Sequence, residues 1–263
     1  MKGRVMTKSK ASEAAKSDRM TLLGHLSELR RRLLRSVIAV AICVAVSFAF
    51  RNWIFHILIN PAGDINLIYI EMTEMIGTTM KVSLAAGIVL AMPYLIYQLL
   101  MFVSPALTRR EKKYVYLILP WITLMFAAGV AFAYFVLIPP ATKFLISFGS
   151  DIATPQIKIG NYISIVTRLL LAVGAVFETP VIILFLSRLG IITPQMLSRN
   201  RRWAILGAFV LAAIITPTFD PINQSLVAVP LILLYEMSTW LSKLVYKRRT
   251  RLASSPAPPG ASP

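Results

Sequence analysis

Two stretches of this chain carry no Asp, Glu, Lys or Arg for longer than a bilayer is thick: Val82 to Thr108 and Tyr114 to Thr142, 27 and 29 residues. A helix of about 20 apolar residues crosses the roughly 30 Å hydrocarbon core, so these windows alone point to a membrane protein. Four further windows follow: Leu34 to Phe50, Ile163 to Ser187 interrupted by Arg168 and Glu178, Trp203 to Thr216, and Ile222 to Ser242 with Glu236. Apolar residues make up 57% of the 263, above the 45–50% or so of a soluble domain. The excess of 28 Lys and Arg over 11 Asp and Glu clusters between these windows, which speaks against a hydrated nucleic-acid-binding surface. A single cysteine, Cys43, has no internal disulfide partner and reads as a small apolar side chain in the first window.

Charge placement orients the spans. Of the 28 Lys and Arg, 23 fall in residues 1–35, 104–114, 188–202 and 243–263, all on one side if six spans alternate. The other side holds Arg51, Lys81, Lys143 and Lys158 together with Asp64, Glu71, Glu74 and Asp151. The positive-inside rule then places both termini in the cytoplasm. The fold class expected is an all-α integral membrane protein of six transmembrane helices. The long outer connections, rich in Trp53, Ile54, Phe55, Phe144, Leu145 and Phe148, are expected to form interfacial helical caps. Residues 1–20 read as a basic, disordered extension, 21–245 as the membrane domain, and 246–263 as a basic then Pro/Ser-rich disordered tail. Met20 offers a second in-frame start. The run after Arg30-Arg31-Arg32 reads as a retained first span, because an interface-like RNWIF segment and five further spans follow it.

Several motifs occur in order: HLSELRRRL (His25 to Leu33), FVSPALTRREKK (Phe102 to Lys113), GVAFAYF (Gly129 to Phe135), GAVFETP (Gly174 to Pro180), GIITP (Gly190 to Pro194), and TPTFDPINQSLVAVP (Thr216 to Pro230) closing in LLYE (Leu233 to Glu236). Together they closely resemble the TatC family, the multi-span receptor subunit of the twin-arginine protein translocase, over roughly residues 20 to 245. The resemblance implies a six-span receptor in the bacterial inner membrane. Its cytoplasmic face would bind signal peptides with consecutive arginines on folded cargo. It would assemble with single-span subunits of the TatA/TatB type, and with further copies of itself, for export driven by the proton-motive force. No enzymatic activity and no cofactor are implied. The chain accordingly lacks a GxxxxGK[ST] phosphate loop.

Recognition of paired guanidiniums needs carboxylates, which accept the planar Arg fork bidentately. Glu28, at the foot of the first span, and Glu111, in the first inner loop, are the candidates, and both match the family's signal-peptide positions, with Arg30 beside them in the motif. The plainer reading of Glu28 is a helix pair with Arg31 or Arg32, worth about 0.2–0.5 kcal/mol; that of Glu111 is local neutralisation by Arg110 and Lys112. Glu178 is a mid-span carboxylate and so a pathway, coupling or contact residue. Arg168 lies ten residues away, about 15 Å along one helix, too far for a bridge. The resemblance assigns Glu178, and Gln224 at the outer turn, to contact with the partner subunits. Pro61, Pro105 and Asp220 mark turns, while Pro93, Pro120, Pro180 and Pro230 can bend their spans into a concave scaffold.

Two other classes compete. A proton-coupled secondary transporter would use Glu178 and require a small-molecule cavity. An intramembrane protease would need HExxH, GxGD or a serine–histidine pair, none of which the spans carry, and His25 and His56 fall near opposite faces.

Overall fold

The computed structural model describes the backbone of residues 3–63, 67–103, 109–147, 152, 154–216 and 221–253. Side chains before Gly24, at His25, over 103–116, at Leu189, Ile222 and Asn223, and after Leu244 lie outside the description, as do Pro105 and Asp220 entirely. Ten α-helices occur among the described residues: α1 (Gly3–Ala49), α2 (Arg51–Ile59), α3 (Glu74–Val103), α4 (Arg109–Phe132), α5 (Ile138–Ser147), α6 (Ile159–Phe177), α7 (Thr179–Leu189), α8 (Pro194–Arg199), α9 (Arg201–Ile215) and α10 (Pro221–Ala253). Five segments are long and apolar enough to cross a membrane: Leu26–Ala49, Glu74–Phe102, Leu117–Ser147, Ile159–Arg188 and Gln224–Leu244. The expected sixth, α9, has 15 residues and rises only about 22 Å, short of the core thickness.

Two of these spans are composite. One joins α4 to α5 through a π-helical turn at Ala133–Leu137, which inserts one residue and turns Tyr134 so that its hydroxyl donates to the Ile57 carbonyl at 2.8 Å. The other breaks between α6 and α7 at Glu178. Pro180 has no N–H for the Val176 carbonyl, and the Val181 and Ile182 amides both turn to the Glu178 carbonyl, at 3.1 and 3.0 Å. Pro93, Pro120 and Pro230 sit inside α3, α4 and α10 without ending them.

Lipid is as apolar as leucine, so packing of small residues rather than burial from water joins these helices. α1 packs mainly on α3, and the crossing is so close that a Cβ on Gly87 would come within 2.7 Å of the Val44 backbone. α4 crosses α6 in the same way, with Gly129 against Phe177 and Gly174. The main core lies between α3, α6, α9 and α10 around Val82, Ile163, Val166, Ala212 and Ala228; a smaller one joins Ile118 and Ile122 of α4 to Val181 and Phe185 of α7.

The far face, away from the basic loops, is capped by α2 and α5, where interfacial helices were expected. A two-stranded parallel ladder joins the caps, β1 (Leu67–Ile68) to β2 (Ile157–Lys158), with Leu67 opposite Ile157. Glu74 ties it to the spans: one carboxylate oxygen accepts from the Ile70 amide at 3.0 Å and the other from the Gly160 amide at 3.1 Å. Glu71 pairs with Lys158 at 3.5 Å. Pro61 occupies a 3-10 turn over Asn60–Ala62 that Gly63 ends at φ 71°, a left-handed backbone suited to glycine. At the other end, the backbone from Gly3 to Met20 is helical and continuous with the first span. Its Ala, Lys, Met and Glu residues favour helix. Helix α10 likewise continues through the basic stretch to Ala253.

Candidate functional site

On the basic face, α1 presents Glu28 one turn before Arg32. The Arg32 guanidinium donates through Nε, at 3.0 Å, and through Nη2 to the same Glu28 oxygen, Oε1. Its third arm, Nη1, reaches Gln98 Oε1 on α3 at 3.3 Å, and Gln98 Nε2 donates to the Tyr94 hydroxyl at 2.6 Å. The arrangement therefore holds one guanidinium side-on against a half-buried carboxylate and leaves Glu28 Oε2 without a donor among the described residues. Arg30, two residues from Glu28, is exposed and lies on another side of the helix. Glu111 is the third residue of α4, at the foot of the neighbouring span, but its side chain lies outside the described residues.

The helix pair considered for Glu28 in the sequence is thus present, with Arg32 as its partner. Gln98 and Tyr94 are the participants that sequence reasoning missed. Gln98 is 5% exposed and stands in a window free of charge. An amide in such a place needs a partner, and that signal was available.

Glu178 stands at the break between α6 and α7, 3% exposed, and neither carboxylate oxygen has a hydrogen-bond partner among the described residues. Arg168 is exposed and makes no ion pair with it. Gln224 lies elsewhere, in the first turn of α10, where its Nε2 donates to the Phe209 carbonyl of α9 at 3.0 Å; no hydrogen bond joins it to Glu178. Glu236, which the sequence left without a partner, is in ion-pair contact with Arg201 at the start of α9, and Tyr235 donates to the Leu197 carbonyl at 2.8 Å. These two contacts fix α8 and α9 to α10 on the basic face.

Between α1, α2, α3, α4 and α6 opens an apolar cavity of about 1130 Å³. Pro93, Phe126 and Leu170 are among its walls and no charged side chain among the described residues lines it; Glu178 is not part of it. It supplies the concavity that bent spans suggested. Among the described residues no group of three or more His, Cys, Asp or Glu could hold a metal ion.

Comparison with known proteins gives concordant results. A family model described as Sec-independent protein translocase protein (TatC) matches residues 24–230. The Sec-independent protein translocase protein TatC of Carboxydothermus hydrogenoformans is 40% identical over 228 residues, covering 86% of this chain and 94% of that relative. The protein of the same description from Aquifex aeolicus is 39% identical over 239 residues, covering 89% and 99%. Among solved structures, a crystal structure of the twin arginine translocase receptor TatC superposes with a TM-score of 0.76 at 40% identity, covering 84% of this chain and 99% of that one.

Proposed function

Because the chain belongs to the TatC family of Sec-independent protein translocase proteins, we propose that it is the subunit that receives twin-arginine signal peptides of folded cargo on its basic face. It is a multi-pass protein of the inner membrane and a translocase component, not an enzyme. The observation that carries the proposal is Glu28: its carboxylate already accepts a guanidinium through two donors and keeps a second oxygen open. Arg32 occupies the seat by an intrahelical pair of only about 0.2–0.5 kcal/mol. An arriving arginine forms charge-assisted bonds of the same kind, worth about 1.5–3 kcal/mol, and has the open Oε2 as a further acceptor. Glu111, at the foot of α4, is the second carboxylate for the second arginine. The net +3 of the surrounding residues 109–113 opposes approach at long range, so recognition rests on short contacts rather than steering.

In this reading Glu178 and Gln224 are contacts for single-span subunits of the TatA/TatB type, and several copies of the chain share one complex. A buried carboxylate without an internal partner suits a contact completed from outside. The transporter alternative requires a polar route to Glu178, and the cavity is apolar and does not include that residue. The test is genetic: deleting the gene is expected to leave folded cargo with an RR signal in the cytoplasm, and this chain supplied in trans should restore its export. Export unaffected by the deletion refutes the assignment.

We place both termini in the cytoplasm and count α9 as a sixth, short span; its length favours local thinning of the bilayer. After Cys43→Ala, cysteines introduced at Ser9, Ser104, Ser198 and Ser254 should be shielded from an impermeant thiol reagent in intact cells, and one at Ser150 should be labelled. Labelling at Ser198 from outside overturns the six-span arrangement.

A further inference from the structure

We propose that the seam between α3 and α6, at its far-face end, is a binding site for the phosphate of an anionic phospholipid, gripped by Lys81 and Arg168. The proposal goes beyond the receptor reading and does not depend on it.

Both residues lie within membrane-length segments, and both are exposed. Lys81 Nζ donates across the seam to Ser164 Oγ at 3.2 Å. Asn161, Ser164 and Arg168 follow at i, i+3 and i+7 and so share one face of α6, and Asn161 is exposed as well. Cations in hydrocarbon normally face the bundle interior or pair with an acid. Among the described residues these two do neither. Glu178 is ten residues from Arg168 toward the basic face, about 15 Å along the chain. Glu74, about 10 Å from Lys81 along α3, is engaged with the Ile70 and Gly160 amides, and Glu71 pairs with Lys158. Among the described residues, then, no acid supplies a counter-charge to either cation, and a ligand from outside the chain can bring one.

Direction selects the anion. Helical side chains lean toward the N-terminus of their own helix. Both α3 and α6 begin at the far face, with Glu74 and Ile159. Both cations thus lean toward the same interface and toward Ser164, which lies only about 7 Å below the start of α6. Long Lys and Arg stems snorkel in this way to reach headgroups. A guanidinium takes phosphate bidentately, and an ammonium adds a point charge. The pair also discriminates among lipids, because a zwitterionic headgroup brings its own cation up to two others.

The full-length chain, purified in mild detergent, is titrated with phosphatidylglycerol or phosphatidylcholine and read by native mass spectrometry. The wild type should prefer phosphatidylglycerol. Lys81→Gln with Arg168→Gln should bind it about 10- to 30-fold more weakly, and the charge-keeping exchange Lys81→Arg with Arg168→Lys should largely retain it. Equal binding of the two lipids by the wild type, or unchanged phosphatidylglycerol binding by the double Gln variant, overturns the proposal. A second measurement leaves both cations intact: a benzophenone side chain at position 161, in place of Asn161, is photoactivated in cells. A lipid adduct supports the site; an adduct to a polypeptide shows that a protein partner covers the cations and overturns it.

Discussion

Glu28→Ala combined with Glu111→Ala is expected to abolish crosslinking of a twin-arginine signal peptide to the chain, while its insertion and abundance stay at wild-type levels. Each carboxylate offers charge-assisted bonds to one guanidinium, so each single variant should weaken the contact by roughly 10- to 100-fold. Together they leave no acid in the two inner segments, residues 21–35 and 104–114. The effect on folding is small for a structural reason. Losing Glu28 releases Arg32, but Arg32 keeps Gln98 as an acceptor on α3 and lies at the basic face, where water reaches it. Charge-keeping Glu28→Asp shortens the side chain and should fall between wild type and alanine. Crosslinking of the double variant at wild-type strength would show that arginine recognition lies elsewhere on the basic face.

The spans were legible because an uncharged window needs no neighbour to declare itself. Val82 to Thr108 and Tyr114 to Thr142 could be nothing else, and α3 and α4 lie inside them apart from the opening stretches Glu74–Lys81 and Arg109–Lys113. What hydropathy lacks is any record of single-residue geometry. The π-helical turn at Ala133–Leu137 adds one residue within an unbroken apolar run, and only the Tyr134 bond to Ile57, 77 residues away, marks its outcome. The β1–β2 ladder escaped for a related reason. Two residues per strand carry no period, and the ladder is held by Glu74 reaching Gly160 across 86 positions. α9 illustrates a different limit: composition marked it as apolar, and its 15 residues fall short of a full crossing.

The candidate site was legible unevenly. Glu28 stood out because acids are scarce near the inner ends of the spans, and of the two partners its spacing offered, Arg31 and Arg32, the structure forms the pair with Arg32. Gln98 was passed over as one amide in a span, although its burial is what joins α1 to α3 at the site. Arg168 and Glu178 show the reverse. Their ten-residue spacing ruled out an intrahelical bridge, and the structure leaves one exposed and the other buried without a partner. A charge that the chain does not neutralise itself is a statement about what surrounds the chain, and a single sequence contains no surroundings.

That reasoning gives Glu178 the sharpest expected result. Export of an RR-signal cargo should survive in large part in Glu178→Gln and fail in Glu178→Ala. Glutamine keeps an acceptor and a donor at the α6–α7 break, where both carboxylate oxygens now lack a partner. A polar group on an arriving helix can still be met. Alanine removes both functions and leaves that group unsatisfied in the membrane, at a cost of about 1–2 kcal/mol per contact, multiplied over every subunit that must dock. Stability should move the other way, because a buried carboxylate with no bonding partner contributes nothing to the isolated chain. Glu178→Ala is therefore expected to accumulate at least as well as the wild type, which separates lost docking from lost folding. A proton-coupling role makes a different forecast: glutamine cannot exchange a proton, so Gln and Ala would fail equally and completely. Measuring export and membrane abundance for both variants decides between a contact completed by a partner and a carboxylate that cycles.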